Sequence, residues 1–479
     1  MKHFLRSLLV VFTLASISTQ ACAQELVSVQ YINTAPQLIF SFLSGQARYD
    51  VDVYKVLYTT PDVQGRTDTA SGLLTIPKAT GVSFPIAIVH HGTVASKDEV
   101  PSNLQAFWEF GGLASSLGYV SMMPDYLGLG ESRGFHPYVH AATEASASVD
   151  MYIALQSYFE DNDIPVNGQL FLTGYSQGGH ASMATHQLLE TNYSEQYPVT
   201  AAAHLSGPYS ISVGFKESFT NEDIYGRPSF GAWAVMSYNE TNQLYDSLSQ
   251  YMKEPYAGYS LEFYRGEIDL NALDQKMTDQ LVTDHGAPIV TKMFQDSLIE
   301  ALETDDNHPL LIALRENDTY NWGPNAPTRL YYCEADQTVG FRNSILADSI
   351  MNANGAVDLK AEDVSPASNH IQCVLPAGLA AIAFFGNYAS FSAVTSTQDL
   401  PTLEGVQAYP NPAGDYIQMR GLPQNSQLQI FDLSGRILRN QNLRDASLTL
   451  AVNDLEDGMY LFRIVSKEGV WNEQILIQR

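Results

Sequence analysis

Hydrophobic positions over most of the chain alternate between two patterns, and this alternation predicts an α/β fold. Short apolar runs rich in β-branched residues indicate strands, and longer stretches with apolar residues three or four positions apart indicate helices. The predicted strands are 53–60, 69–76, 84–89, 120–124, 170–173, 200–205, 328–333 and 357–361. The predicted helices are 104–117, 142–159, 178–190, 341–353 and 371–385. The crossovers are long enough for parallel pairing of the strands that they connect.

The alternation stops between 209 and 327, where aromatic residues are concentrated. They are Phe215, Phe219, Tyr225, Phe230, Trp233, Tyr238, Tyr245, Tyr251, Tyr256, Tyr259, Phe263 and Tyr264. We interpret this segment as an inserted, mostly helical cap. The alternative is an ordinary helical subdomain, in which any individual aromatic residue belongs to the core rather than to a binding surface.

The amino-acid composition and the hydrophobic pattern change again near the C-terminus. Ser, Thr, Pro and acidic residues in 392–404 indicate a linker. Short alternating strands then follow between turn signals, at 416–419, 427–431, 447–451, 460–465 and 474–477. This pattern predicts a small β-sandwich over 405–479, separate from a first domain that spans 24–391.

The first 23 residues have the pattern of a secretory signal peptide. Lys2 and Arg6 precede an apolar run at 8–17, and Ala21-Cys22-Ala23 supplies a cleavage site, so the mature chain is expected to begin at Gln24. A lipoprotein anchored through Cys22 and a retained membrane anchor are weaker alternatives. No later run is long enough to suggest a transmembrane segment in the mature chain.

Composition excludes several classes of protein. Of 479 residues, 45% are hydrophobic and 16% are charged, which is typical of a folded chain rather than a disordered one. The net charge is −27, so binding to nucleic acid or to an anionic membrane surface is not expected. Three cysteines without C-x-x-C spacing do not suggest a zinc or thioredoxin-like site.

One motif indicates nucleophilic catalysis. The predicted strand 170–173 runs into Gly174-Tyr175-Ser176-Gln177-Gly178-Gly179, and helical spacing of apolar residues follows. This is the G-x-S-x-G pattern in a strand-to-helix context, where a sharp turn presents the serine and the glycines let neighbouring backbone approach. An inert serine in a glycine-rich turn is the alternative interpretation.

A serine needs a base, and the base needs an acid to orient it. In folds with such a turn, the acid and then the histidine follow the serine along the chain. Among eleven histidines, His370 alone lies beyond the last major strand and before the terminal sandwich. The turn after strand 328–333 offers Asp336 as the acid, with Glu334 as the alternative.

The negative charge that develops on an attacked carbonyl requires backbone N–H donors. The residue after the serine, Gln177, is one expected donor. Thr93 is the other, since it follows strand 84–89 in the loop His90-His91-Gly92-Thr93, where the glycine permits close approach. His90 and His91 are expected to be structural.

These motifs together resemble the α/β-hydrolase superfamily over about 49–389. The segment Met123-Pro124-Asp125-Tyr126-Leu127-Gly128-Leu129-Gly130 also resembles the exit of the fourth strand in such enzymes, and the whole pattern is similar to secretory lipases and related bacterial esterases. The resemblance implies an α/β-hydrolase fold with a cap, a catalytic triad of Ser176, Asp336 and His370, hydrolysis of carboxylic esters through an acyl-serine, and no metal or organic cofactor. It also implies a hydrophobic acyl pocket in the cap.

The C-terminal part resembles the type A sorting domain of type IX secretion. Three motifs occur in order: Tyr409-Pro410-Asn411-Pro412-Ala413, Phe431-Asp432-Leu433-Ser434-Gly435-Arg436 and Leu455-Glu456-Asp457-Gly458-Met459-Tyr460. The resemblance implies passage through the type IX machinery to the outside or the surface of a Gram-negative cell. A carbohydrate-binding or other β-sandwich is the alternative.

Two cysteines flank the proposed acid and base. Cys333 lies three residues before Asp336, and Cys373 lies three residues after His370. Because the acid and the base must hydrogen-bond, a Cys333–Cys373 disulfide is one expectation and two buried free thiols the other.

The function predicted from the sequence is therefore a secreted serine esterase or lipase. A polysaccharide-directed acetyl or feruloyl esterase and a serine peptidase are the enzymatic alternatives. A surface binding protein with an inactive hydrolase fold is the alternative outside enzymes.

Overall fold

The structure is a computed structural model that describes residues 24–220, 224–393, 402–432, 436–466 and 468–479. The predicted signal peptide, most of the predicted linker and the centre of the second sorting motif lie outside the described residues. In the part of the chain that is described, no helix is both long and apolar enough to cross a membrane.

A mixed sheet forms the centre of the first domain. Its strands are β1 Leu26–Ala35, β2 Val51–Pro61, β3 Thr67–Pro77, β4 Val82–His90, β5 Val120–Pro124, β6 Val166–Tyr175, β7 Val199–Leu205, β8 Thr328–Tyr332, β9 Leu359–Asp363 and β10 Ser392–Ala393. The strand order is β1-β2-β3-β5-β4-β6-β7-β8-β9, and β10 pairs with the start of β4. Pairing is antiparallel from β1 to β5 and parallel from β5 to β9.

Helices cover both faces of this sheet, and a further group of helices lies between β7 and β8. The helices are α1 Gln37–Phe40, α2 Trp108–Ser116, α3 Ala141–Asp161, α4 Gln177–Asn192, α5 Ile211–Thr220, α6 Pro228–Asn242, α7 Tyr256–Tyr264, α8 Leu270–His285, α9 Asp296–Thr304, α10 Pro309–Glu316, α11 Arg342–Ala353 and α12 His370–Phe385. Short 3₁₀ turns occur at Pro101–Asn103, Leu248–Gln250 and Val290–Met293.

Strand β4 shows why the central strands are almost wholly apolar. Ala87 and Val89 face a core that includes residues of α2 and α12, whereas Ile86 and Ile88 face a second core that includes residues of α3. A strand covered on both sides has no solvent face, so it lacks the polar alternation of a surface strand.

The segment between β7 and β8 forms helices α5 to α10 with a core of its own. Trp233, Tyr238, Tyr251 and Phe294 are buried there among leucines and methionines. Five of the twelve aromatic residues named from the sequence are buried in this core, and five more are partly buried against it, as the alternative interpretation of an ordinary helical subdomain expects.

The C-terminal region forms two small antiparallel sheets. Its strands are β11 Gln407–Tyr409, β12 Tyr416–Arg420, β13 Ser426–Phe431, β14 Ile437–Leu443, β15 Ser447–Ala451, β16 Gly458–Val465 and β17 Val470–Ile477. The orders are β11-β12-β15 and β14-β13-β16-β17, and their apolar faces form one core. Phe431 and Leu461 pack instead against the core of the first domain, and Arg463 forms a 2.8 Å ion pair with Asp50.

Three local differences from the sequence expectations have physical causes. The helix expected from residue 104 begins at Trp108, because Leu104 and Phe107 adopt left-handed backbone angles before it. The strand expected at 357–361 is Leu359–Asp363, and Val357 is 71% exposed. The strand β1 was not expected, since few of its side chains are buried and its pattern therefore carries little signal.

Candidate active site

Ser176 lies at the turn between β6 and α4. Its backbone has φ 60° and ψ −122°, a conformation that L residues rarely adopt. The Ser176 N–H donates to the carbonyl of Leu205, and the Ser176 carbonyl accepts from the N–H of Gly179. The turn is therefore held on both sides by main-chain hydrogen bonds, which offsets the strain of the serine backbone.

The glycines of the motif are explained by close backbone approaches. A Cβ at Gly174 would lie 2.3 Å from the carbonyl oxygen of Gly178, and one at Gly178 would lie 2.2 Å from that of His90. At Gly179 the corresponding distance is 2.6 Å to the carbonyl oxygen of Leu205. No side chain fits at these distances, so the turn requires glycine at all three positions.

The structure brings the three expected triad residues together. His370 Nε2 lies 2.9 Å from Ser176 Oγ, and His370 Nδ1 lies 2.6 Å from Asp336 Oδ2. The other oxygen of Asp336 accepts the backbone N–H groups of Thr338 and Val339, each at 2.9 Å. This arrangement leaves Nε2 free to accept the serine proton while Nδ1–H donates to the acid.

Burial differs along this relay. The Asp336 side chain is only 1% exposed and that of His370 is 12% exposed, while Ser176 is half-buried. The acid is therefore shielded from water, whereas Ser176 is partly exposed to solvent. The alternative acid, Glu334, is exposed and lies outside this set of hydrogen bonds.

Local structure fixes the position of His370 at the start of α12. Asn369 caps this helix, with its side chain accepting the N–H of Gln372 and the Gln372 side chain accepting the N–H of Asn369. The Tyr175 hydroxyl donates to the His370 carbonyl at 2.6 Å, and the two rings are 5.1 Å apart between centroids. The histidine is thus held by its backbone, independently of its contact with the acid.

Cys333 and Cys373 form a disulfide with their Cα atoms 6.0 Å apart. Cys333 ends the segment that leads to Asp336, and Cys373 lies in the first turn of α12, one turn after His370. The bond therefore links the acid-bearing turn covalently to the helix that carries the histidine.

The loop after β4 approaches the serine turn through Gly92. A Cβ there would lie 3.3 Å from the Tyr175 carbonyl oxygen. In the described part of the chain, no hydrogen bond engages the backbone N–H of either Thr93 or Gln177. The Gln177 N–H also lies at the N-terminus of α4, where helix N–H groups are unpaired and favour negative charge. These two N–H groups are available to a developing oxyanion.

His90 and His91 support this loop from inside the protein. His90 bonds through Nδ1 to the carbonyl of Thr173, and burial lowers the pKa of His90 to about 3. His91 bonds to the carbonyls of Gly92 and Asp125. Both rings are buried and bonded to main-chain carbonyls, so they hold the loop in place.

A buried polar network that the sequence analysis missed surrounds the side chain of Gln177. Its Nε2 donates to Glu144 Oε1 at 2.8 Å and to His136 Nε2 at 2.8 Å. The second Glu144 oxygen accepts from His180 Nδ1 at 2.6 Å, and His180 Nε2 donates to the carbonyl of Asn317 at 2.9 Å. The network joins the first turn of α4 to α3 and to the end of the segment between β7 and β8.

The Glu144–His180 pair has no solvent exposure. Burial alone would lower the pKa of His180, but the charge of Glu144 and its hydrogen bond reverse this effect and raise the pKa above its ordinary value. Both nitrogens of the His180 ring face acceptors, which fits the doubly protonated form. No local pattern in the sequence marks Glu144 and His180 as partners.

The structure also shows how the helical insertion meets the site. The Tyr225 hydroxyl donates to the carbonyl of Thr338, beside the acid, and Tyr138 lies 3.0 Å from Thr93 between the two hydroxyl groups. Trp233 stacks on Tyr138 with ring centroids 4.5 Å apart. Tyr225 and Trp233 of the segment between β7 and β8 thus contact the acid-bearing turn and pack on Tyr138, respectively, and Tyr138 bonds to Thr93. Among the described residues, no cluster of three or more His, Cys, Asp or Glu side chains could hold a metal ion.

Comparison with known proteins divides the chain as the structure does. Residues 407–478 match the family model described as the secretion system C-terminal sorting domain, which indicates a secreted or surface protein. No curated protein sequence matches the chain significantly.

Solved structures match the remainder. The rice cell wall degrading esterase LipA from Xanthomonas oryzae is 26% identical, with a TM-score of 0.64 over 75% of this chain and 95% of that one. A putative hydrolase from Legionella pneumophila is 23% identical, with a TM-score of 0.67 over 78% of this chain and 100% of that one. Candida antarctica lipase A is 15% identical, with a TM-score of 0.52 over 73% and 78% of the two chains.

The last two matches support the fold alone, whereas the first also carries sequence similarity. The protein thus has the α/β-hydrolase fold of esterases and lipases and carries a C-terminal secretion sorting domain.

Proposed function

We propose that this protein is a secreted serine hydrolase that cleaves carboxylic esters. The observation that supports this most strongly is the pair of hydrogen bonds that links Asp336, His370 and Ser176. The distance is 2.6 Å between Asp336 and His370 and 2.9 Å between His370 and Ser176, at a turn that requires glycine at three positions. Buried ion pairs are common in proteins, but a histidine that also reaches a half-exposed serine is the arrangement of nucleophilic catalysis.

The proposed reaction has two halves. His370 Nε2 takes the proton of Ser176 Oγ as the oxygen attacks the ester carbonyl, and Asp336 stabilises the resulting imidazolium. The N–H groups of Thr93 and Gln177 stabilise the oxyanion. His370 then gives its proton to the leaving alcohol, and a water activated by the same ring releases the acid from the acyl-serine.

A second candidate for the substrate is an esterified polysaccharide. The observation that favours it is the 26% identity to an esterase described as degrading the rice cell wall. On this view, the natural ester is an acetyl or feruloyl group on a wall polymer, and the same residues perform the chemistry.

The chain organisation completes the proposal. A signal peptide covers residues 1–23, a catalytic domain covers 24–391 with a cap at about 209–327, and a linker at 392–404 leads to a sorting domain at 405–479. The match over residues 407–478 supports secretion, and the three sorting motifs support the type IX route of a Gram-negative cell.

A fluorophosphonate probe tests the enzymatic proposal directly, since it reacts covalently only with an activated serine. We expect labelling of the wild type and none of Ser176→Ala, with Ser206→Ala, which removes a buried serine outside the proposed triad, as a control. If the wild type is not labelled, or if Ser176→Ala is labelled equally, the protein is not a serine hydrolase of this site and the inactive binding protein becomes the better interpretation.

Substrate panels separate the remaining candidates. Aryl esters of increasing acyl length, acetylated and feruloylated polysaccharides, and peptide amides are compared by kcat/KM. A preference for long aliphatic esters supports a lipase, whereas release of feruloyl or acetyl groups from polymers supports the second candidate. Faster cleavage of amides than of all esters would contradict both and identify a peptidase.

A further inference from the structure

An apolar cavity lies between α2 and α12, on one face of the central sheet. Its volume is about 90 Å³. Phe110 and Leu113 of α2 form one wall, and Leu375, Gly378 and Ile382 of α12 form the other. We call this cavity the α2–α12 slot. None of its lining residues belongs to the segment between β7 and β8, where the family resemblance implied an acyl pocket.

The slot offers almost nothing to a polar ligand. No Asp, Glu, Lys or Arg side chain lines it. The ring nitrogens of His90 and His91, which contribute to the upper end, are already bonded within the protein. Among the described lining residues, the hydroxyl of Thr173 is buried without a hydrogen-bond partner. A sugar or a charged group would lose its hydration there without replacement, whereas an aliphatic chain would not.

The slot is elongated along α12. Its α12 wall runs from Val374 to Phe385, which spans about 16 Å at the helical rise per residue. At its rim, Leu375 and Leu379 are 45% and 40% exposed, and Ile371 on the turn before is 78% exposed. These side chains are spaced four residues apart, so they form one apolar edge that an aliphatic ligand would cover.

The upper end of the slot reaches the candidate active site. Tyr175, the residue before Ser176, lines the slot and also bonds to the carbonyl of His370. Gly92, the residue before Thr93, lines it as well. The slot thus adjoins the serine relay, and the ring of Tyr175 and the loop His90-His91-Gly92-Thr93 form the boundary between them.

We propose that the α2–α12 slot binds a single aliphatic chain, either that of a fatty acyl ester or that of the fatty acid released from it. The proposal extends the ester-hydrolase function, on which the identity of the ligand rests. On this proposal, the apolar side chains of α2 and α12 recognise the aliphatic chain of the ligand.

Gly378 allows a test that preserves the fold. A Cβ at this position meets no atom within 4 Å, so Gly378→Leu places a side chain into empty space and also replaces glycine by a better helix former. Gly214 of α5 is a matched control, since its Cβ is equally free and it does not line the slot. Circular dichroism and thermal unfolding establish that both variants are folded.

Binding is measured without catalysis, in the Ser176→Ala background, by the fluorescence of cis-parinaric acid. We expect saturable binding to Ser176→Ala, binding weakened about tenfold or more by Gly378→Leu, and no change with Gly214→Leu. The absence of saturable binding, or equal affinity with Gly378→Leu, would overturn the proposal. This binding assay uses a variant without the serine, so its outcome does not depend on catalysis. A failure of fluorophosphonate labelling would refute the hydrolase without affecting the measured binding of the fatty acid.

The active enzyme distinguishes the two sources of the chain. If the chain of the substrate occupies the slot, Gly378→Leu lowers kcat/KM for aryl palmitate about tenfold or more and leaves aryl butyrate unchanged. If the released fatty acid occupies it, the chain-length profile is unchanged and inhibition by added fatty acid is lost. Inhibition and a chain-length profile that both equal those of the wild type would contradict the slot as a ligand site.

Discussion

The buried pair of Glu144 and His180 leads to a prediction that separates charge from shape. Glu144→Gln keeps the size of the side chain, and its amide can donate to His180 Nδ1 while its carbonyl accepts from Gln177. His180 then becomes neutral and still donates through Nε2 to Asn317. Glu144→Ala leaves the His180 Nδ1–H without a hydrogen-bond acceptor. The Gln177 amide then keeps only its acceptor on His136.

The expected costs of the two substitutions differ accordingly. Removal of one member of a buried ion pair typically costs about 3 to 5 kcal/mol, because the other is left uncompensated. Glu144 has no exposed surface and bonds to two groups, so Glu144→Ala should fall in this range. Glu144→Gln keeps every hydrogen bond and should cost about 1 kcal/mol or less.

The effect depends on pH in a defined direction. Because Glu144 raises the pKa of His180 in the folded protein, the pair contributes stability that is fully present below the unfolded pKa of about 6.5. This contribution is lost as the pH rises through the higher pKa of the folded state. The stability advantage of the wild type over Glu144→Gln should therefore be largest in mild acid and should shrink in alkaline buffer.

Urea unfolding measured across this pH range tests the energies, and ester kinetics test the link to Gln177. In Glu144→Ala we expect kcat to fall up to about 100-fold with little change in KM, because a displaced Gln177 N–H weakens only the stabilisation of the oxyanion. Glu144→Gln should remain within about threefold of the wild type. Equal effects of the two variants, or a stability difference that grows in alkali, would refute the reasoning.

Three further predictions concern the candidate active site. Asp336→Asn should lower kcat by roughly 10³ to 10⁴ with the fold intact, because the amide favours the wrong histidine tautomer; unchanged ester kinetics would exclude this acid. Loss of the Cys333–Cys373 bond, which spans 40 positions, should cost about 4 kcal/mol of stability, measured in the Cys333→Ser/Cys373→Ser variant against the oxidised wild type. Gly178→Ala should displace the serine turn and lower kcat about 100-fold, and activity near that of the wild type would show that the turn can relax.

The sequence was most informative where one local pattern decides the structure. The central strands were visible as apolar runs because both their faces are covered, and the serine turn was visible because three of its positions admit only glycine. The order of serine, acid and base along the chain then selected Asp336 and His370, and the structure brings both to Ser176. The apolar strands and the glycine turn are visible within short segments, and the acid and base follow from the order of segments along the chain.

What the sequence did not reveal depends on contacts between distant segments. Glu144 and His180 are separated by 36 positions, and nothing local marks either as a partner of the other. The α2–α12 slot could not be predicted from the hydrophobic periodicity either, because two apolar helices have the same sequence pattern whether the space between them is filled or empty. Packing of this kind becomes visible only when the helices are placed side by side.

The covalent link between the acid-bearing turn and α12 has a consequence for when the protein can act. Cytoplasmic conditions keep thiols reduced, so a newly made chain would hold its acid and base only by weaker, reversible contacts. Once the chain enters an oxidising compartment, the bridge can close and fix the geometry of proton transfer. On the proposed function, we expect ester hydrolysis to be weak in the cytoplasm of the producing cell and to reach its full rate only after export.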